Sequence, residues 1–71
     1  MTFIHTPEQL GQALRSARKQ LALTQPQLAL AAGVGVRFVV ELEAGKPTVR
    51  LVQVLRVIDA LGGTLQLTGL P

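Results

Sequence analysis

Two charged residues four positions apart, Arg37 and Glu41, have side chains able to recognise nucleic-acid bases. An arginine can donate two hydrogen bonds to O6 and N7 of a guanine, and a glutamate can accept one from N4 of a cytosine. Because residues four apart share a helix face, Glu41 could instead hold Arg37 in a surface ion pair. Val36 is suited to contact a thymine methyl group, and Val40 is either such a contact or part of a core.

Catalytic chemistry finds little support in the residue types. The chain has no cysteine and a single histidine, His5, whose only nearby acidic residue in the sequence is Glu8. A lone histidine near a terminus is far more often solvated than a base or a metal ligand. The sequence also lacks a Gly-rich phosphate loop and a nucleophile motif. We therefore expect a protein that is not an enzyme and that uses no metal and no cofactor.

The chain of 71 residues suffices for one small domain, because a chain this short buries only about 60% of its extended surface. Seven Lys and Arg residues against four Asp and Glu residues give a net charge of +3, which favours a polyanionic partner only weakly. The apolar runs are far shorter than the roughly 20 residues that span a bilayer. Residues 1–10 lack the pattern of a signal peptide. A cytoplasmic protein without membrane contact is expected.

Helix signals place a pair of short helices at the centre of the chain. A threonine followed three residues later by a glutamine, at Thr6 and again at Thr24, predicts two helix starts by capping boxes. The first helix should cover about 7–20, the second should end at Gly33, and a third should cover about 36–43. Short helices joined by a glycine turn, here over 24–45, suggest a helix-turn-helix and thereby DNA. The apolar stripe expected on the first helix comprises Leu10, Ala13, Leu14, Ala17 and Leu21.

The C-terminal third predicts a contact with a second subunit. A fourth helix over about 49–61, capped by Thr48, is apolar on most sides and needs covering on most sides. Alternating polar and apolar residues over 64–68 predict a strand. That strand needs a partner, either residues 2–5 of the same chain or the same strand of a symmetry mate. The residues assigned to dimerisation are Val54, Ile58, Leu65 and Leu67.

Five positions are similar to the pattern of the phage-repressor and Cro type (XRE) helix-turn-helix family: Gln25, Ala29, Gly33, Val39 and Leu42. The small Ala29 lets the third helix cross close to the second, Gly33 turns the chain, and Val39 and Leu42 fill the space between them. The match extends over residues 18–48. It implies an all-α domain of four to five helices covering residues 1–71.

Within that family, the start of the chain and its C-terminal segment resemble the HipB-type antitoxins. The resemblance implies a short strand, here 64–68, that pairs across a homodimer. It also implies a protein that represses its own operon and binds a HipA-type serine/threonine kinase toxin.

The family resemblance also assigns roles to single residues. Arg18 and Glu43 are expected to form an internal ion pair, since buried charges persist only when paired. Gln25 opens the second helix, where its side chain and free backbone N–H groups can meet a phosphate. For Lys46, a phosphate contact and a solvated loop charge are equally open. The expected DNA-binding set is Gln25, Val36, Arg37, Val40, Glu41, Lys46, Thr48 and Arg50.

Two hypotheses from different classes follow. The first is a homodimeric repressor of palindromic operator DNA, associated with the bacterial nucleoid, either as the antitoxin of a type II toxin-antitoxin operon or as a phage- or chromosome-encoded repressor without a toxin. The second is a protein-interaction module with weak DNA binding, which the apolar start of the third helix favours.

Overall fold

Four α-helices form the fold in a computed structural model that describes residues 2–70. They are α1 (Pro7–Gln20), α2 (Gln25–Ala32), α3 (Val36–Glu43) and α4 (Leu51–Ala60). Helix α3 packs against α1 and α2, and α2 also packs against α4. The predicted all-α helix-turn-helix fold is confirmed, with α2 and α3 as the two helices of the motif.

Aliphatic side chains from all four helices meet in one core. Ala29 is 2% exposed, and its small side chain lets α3 cross close to α2. Burying a large aliphatic side chain stabilises the fold by about 1.5–3 kcal/mol relative to leaving it in water. This core fixes α3 against the rest of the domain. Its most deeply buried large residues are Leu28, Val39, Leu42 and Val57.

The helix starts agree only in part with the predicted caps. At α2 the capping box is complete, because the Gln27 N–H donates to Thr24 Oγ1 and the Thr24 N–H donates to Gln27 Oε1. At α1 the Gln9 N–H donates to Thr6 Oγ1, but Gln9 Oε1 accepts from the His5 N–H instead of closing the box on Thr6. The predicted reciprocal box at Thr6 is therefore wrong in its second half.

The predicted start of the fourth helix, at Val49 after a Thr48 cap, is wrong. Helix α4 begins at Leu51, and its N-cap residue Arg50 makes no side-chain capping hydrogen bond. Val49 packs against the core from the segment that precedes the helix. Because Val49 is held against the core in this segment, the helix starts later than the threonine alone would predict.

The buried face of α1 is rotated from the predicted stripe. It contains Gly11, Leu14 and Arg18, whereas Leu21 is 52% exposed. The rotation brings a glycine and a charged residue inward, which a pattern of apolar residues cannot indicate. Both residues contact the end of α3, as described below.

Neither segment that was considered as a strand forms one in the single chain. Residues 64–68 and residues 2–5 have no strand pairing among the described residues, and both segments are exposed. A strand requires a neighbour that accepts and donates its backbone hydrogen bonds. Without such a neighbour, residues 64–68 are an exposed coil, and the strand prediction is not met in this chain.

Two of the four residues assigned to dimerisation lie in the core of the chain itself. Val54 is 4% exposed and Ile58 is 9% exposed, so their side chains are covered by this chain and not by a second one. Helix α4 turns these residues inward toward α2. The assignment of Val54 and Ile58 to a subunit contact is therefore wrong. The large apolar residues that α4 leaves exposed are Leu51, Val52 and Leu55.

Each of the four helices within residues 2–70 ends in the same motif. One residue adopts a left-handed conformation, and the N–H of the next residue donates to the carbonyl oxygen five positions earlier. Glycine normally occupies such a position, because an L side chain is strained there. The four left-handed residues are Ala22, with φ of 57°, Gly33, with 71°, Gly45, with 87°, and Gly62, with 76°.

We expect Ala22→Gly to raise the free energy of unfolding by about 0.5 kcal/mol. An L residue in this conformation destabilises the folded state by about 1–2 kcal/mol, and the substitution removes that strain. Glycine also makes the unfolded chain more flexible, which lowers the stability by about 0.4–1 kcal/mol and leaves a smaller net gain. Gly33→Ala is the matched reverse change, since an added Cβ there meets nothing within 4 Å, and it should lower the stability similarly. Urea unfolding measures both. An Ala22→Gly variant less stable than the wild type would contradict this.

Candidate nucleic-acid interface

Helix α3 has a buried face and an exposed face. Phe38 packs against the core, and Val39 and Leu42 are buried within it. On the exposed face, the Arg37 side chain is 91% exposed. Val36 and Val40 are each 43% exposed. The structure thus brings four of the predicted base-contacting residues onto one surface of α3, which are Val36, Arg37, Val40 and Glu41.

A buried ion pair fixes the end of α3 against α1. Arg18 Nε lies 2.7 Å from Glu43 Oε2, and Arg18 Nη2 lies 3.0 Å from Glu43 Oε1. The third nitrogen, Nη1, donates to the Leu23 carbonyl oxygen at 2.8 Å. The hydrogen bond with Glu43 raises the pKa of Arg18 above its ordinary value, against the opposite effect of burial. One guanidinium group therefore joins α1, the loop before α2, and α3.

Gln25 belongs to the same hydrogen-bond network. Its Nε2 donates to Glu43 Oε1 at 3.1 Å, a contact that the sequence did not indicate. In the first turn of α2, Pro26 has no N–H and the Gln27 N–H is bonded to Thr24. Among the backbone N–H groups of this turn, that of Gln25 remains for a phosphate, beside the second amide hydrogen of the Gln25 side chain. The start of α2 therefore offers a phosphate fewer hydrogen-bond donors than the free helix terminus that was expected.

Glu41 forms ion pairs with two cations at once. Lys46 Nζ lies 2.8 Å from Glu41 Oε2, and Arg37 Nε lies 3.8 Å from Glu41 Oε1. The hydrogen bond from Lys46 lowers the pKa of Glu41, with smaller contributions from the charges of Lys46 and Arg37 and a partial offset from desolvation. Lys46 is therefore an exposed cation held in a surface ion pair, with its side chain 43% exposed, and its phosphate contact stays a prediction.

Thr48 and Arg50 lie between α3 and α4. Both residues are exposed, and Arg50 directly precedes the first turn of α4. Backbone N–H groups at the start of a helix attract anions, and a cationic residue beside them adds to that attraction. The structure therefore leaves both side chains available to a phosphate.

Gly11 is a positioning residue that the sequence analysis missed. A Cβ added at Gly11 would lie 2.6 Å from the Leu42 carbonyl oxygen and 2.7 Å from that of Glu43. The backbone of α1 thus lies directly against the last carbonyl groups of α3. The available signal was the glycine itself, which costs about 1 kcal/mol relative to alanine inside a helix unless close packing requires it.

Among residues 2–70, no group of three or more His, Asp or Glu side chains comes together as a metal site would require. Across the same residues, no helix combines the length and apolar character needed to cross a membrane.

Comparison with known proteins places this geometry in a family. A family model described as a helix-turn-helix domain matches residues 9–68, which cover α2, α3, α4 and all of α1 except its first two residues. The chain is also 47% identical over 64 residues to a protein of Sinorhizobium fredii named as an uncharacterized HTH-type transcriptional regulator, y4mF. That alignment covers 90% of this chain and 84% of the S. fredii protein.

Proposed function

Because the chain belongs to the helix-turn-helix domain family, we propose that it is a DNA-binding transcriptional repressor that places α3 in the major groove. The observation that carries this proposal is the exposed face of α3, from which the Arg37 side chain extends while the opposite face is locked in the core. The Arg18–Glu43 ion pair supports it further, because a reading helix must be held rigidly to discriminate bases.

Base recognition in this proposal depends on few residues. Arg37 donates to O6 and N7 of a guanine. Val36 and Val40 lie on the same face and offer apolar contacts to thymine methyl groups. Specificity should therefore be concentrated on a short stretch of each half-site.

Phosphate contacts come from the two ends of the motif. Gln25 offers its N–H and its second amide hydrogen, while Thr48 and Arg50 offer exposed side chains at the start of α4. Each phosphate neutralised by a cation releases counterions, so binding should weaken as salt rises. Such contacts orient the protein on the duplex without reading its sequence.

Arg37→Ala tests the reading role directly. Loss of a two-pronged contact to guanine should weaken binding to the preferred duplex about 10- to 100-fold, while binding to a scrambled duplex should fall much less. Replacing the contacted guanine by 7-deazaguanine removes the N7 acceptor and should weaken the wild type but not the variant. Fluorescence anisotropy with both proteins and both duplexes measures the four affinities. Equal losses from 7-deazaguanine in the two proteins would remove Arg37 as the reader of that base.

A homodimer is the proposed binding form, with half-sites about 10 bp apart. Support comes from the apolar residues that α4 leaves exposed and from residues 64–68, whose backbone would gain hydrogen bonds by pairing with a second copy. We expect Leu51→Glu, at a residue 64% exposed, to produce a monomer in sedimentation experiments. Leu30→Glu, at an 85% exposed residue of α2, is the control and should remain dimeric. A wild type that sediments as a monomer would refute the dimer.

A second candidate role is that of an antitoxin that binds a HipA-type kinase. Its support is the resemblance of the chain's start and C-terminal segment to the HipB-type antitoxins, and Leu30, a large apolar residue 85% exposed on α2, is available for such a contact. Co-purification with the product of the adjacent gene, before and after Leu30→Glu, tests this role. Absence of a kinase-like neighbouring gene would defeat the antitoxin proposal and leave the repressor proposal intact.

A further inference from the structure

We propose that Glu41 is a specificity-determining residue that withholds Lys46 from the DNA backbone, an inference that rests on the proposed DNA binding. Glu41 lowers the protein's affinity for the phosphate backbone, which is the same in every DNA sequence. Stable binding then depends on the contacts that α3 makes with bases. Glu41 thereby acts through Lys46 and Arg37 and not by accepting a hydrogen bond from a base.

Lys46 is tied to Glu41 at both its backbone and its side chain. The Lys46 N–H donates to the Glu41 carbonyl oxygen at 3.0 Å, in the motif that ends α3. The Lys46 ammonium group is 2.8 Å from Glu41 Oε2. The turn between these two residues is itself fixed. Gly45 has a φ of 87°, and it packs so closely against α1 that an added Cβ would lie 2.9 Å from Glu8 Cα. Lys46 is therefore held in place by the fold before any ligand arrives.

The negative charge of Glu41 offsets one of the two positive charges on this surface. Arg37 and Lys46 contribute two positive charges, and Glu41, whose side chain is 32% exposed between them, contributes one negative charge. A phosphate that approached Lys46 would share the ammonium group with Glu41 or displace it, and in either case would meet the negative charge of the Glu41 carboxylate, which lies 2.8 Å from Nζ. The Arg37 contact is 3.8 Å long, and its side chain is 91% exposed, so Arg37 can leave Glu41 for a guanine at little loss. The arrangement therefore favours base recognition over backbone contact.

The test compares Glu41→Gln with the wild type on a duplex that carries the preferred sequence and on a scrambled duplex, over a range of salt concentrations. Releasing Lys46 should steepen the plot of log affinity against log salt by about 0.9 per subunit. The affinity should rise more for the scrambled duplex than for the preferred one, so the ratio of the two affinities should fall. The double variant Glu41→Gln with Lys46→Ala should lose the added slope.

Asp59→Asn is the matched control, because it removes the same charge from α4 and should not steepen the slope. Circular dichroism of each variant establishes that the helices are intact. A Glu41→Gln variant with unchanged slope and ratio, or one that loses affinity only for the preferred duplex, would overturn the proposal. The same holds if Asp59→Asn steepens the slope equally. Failure of the wild type to bind either duplex would instead defeat the proposed function itself.

Discussion

Replacing Glu43 by alanine is expected to lower the free energy of unfolding by about 3 kcal/mol, as removal of one partner of a buried ion pair does. The substitution leaves the Arg18 guanidinium without its two carboxylate contacts in a site where its side chain is only 10% exposed. It also removes the acceptor of the Gln25 amide. A domain of this size has about 4–10 kcal/mol of total stability, so the loss should be evident in urea or thermal unfolding.

Two further variants separate a buried ion pair from a general charge effect. Glu41→Ala also breaks contacts with two cations, but those contacts are at the surface, so stability should change little. Joint replacement by Arg18→Met and Glu43→Leu removes both buried charges and should recover most of the stability that Glu43→Ala loses. Equal effects of Glu41→Ala and Glu43→Ala would contradict the assignment of Glu43 as the buried partner.

Gly11→Ala is expected to destabilise the domain by about 2 kcal/mol, although alanine is the better helix former by about 1 kcal/mol. The added Cβ would lie 2.6 Å from the Leu42 carbonyl oxygen and 2.7 Å from that of Glu43. Both oxygens belong to the backbone and cannot rotate away. Helices α1 and α3 would have to separate, which would also stretch the Arg18–Glu43 contacts. Urea unfolding measures the loss.

Ser16→Ala is the matched control for this substitution. Ser16 is an exposed residue of the same helix, so its replacement by alanine raises the helix propensity without adding a contact to α3. We expect its stability to equal or slightly exceed that of the wild type. A Gly11→Ala variant as stable as the wild type would show that α1 does not approach α3 as closely as described.

The features that follow from neighbouring residues were predictable from the sequence. The ends of α1, α2 and α3 were predicted closely, because caps such as Thr24 and a left-handed residue such as Gly33 act within a few positions. Arg37 and Glu41 were expected on one face of α3, since residues four apart lie on the same side of a helix.

The features that were missed depend on contacts between distant segments. Gly11 turns inward on α1 because the α3 backbone lies there, and a hydrophobic pattern along one helix carries no information about that contact. The Arg18–Glu43 ion pair, in contrast, was expected from the family resemblance and is present. Val54 and Ile58 were assigned to a partner because an apolar helix does not reveal which of its faces its own chain covers. The Lys46–Glu41 contact likewise arises from the turn at Gly45, whose geometry sets the position of the side chain.

Sequence-dependent DNA binding through α3 can be measured directly. The measurement is fluorescence anisotropy of the full chain with the DNA upstream of its own gene and with a scrambled duplex, over a range of salt concentrations. We expect binding that weakens steeply with salt and a preference of about 10³-fold or more for the upstream duplex. Equal affinity for both duplexes, or no binding at physiological salt, would contradict it.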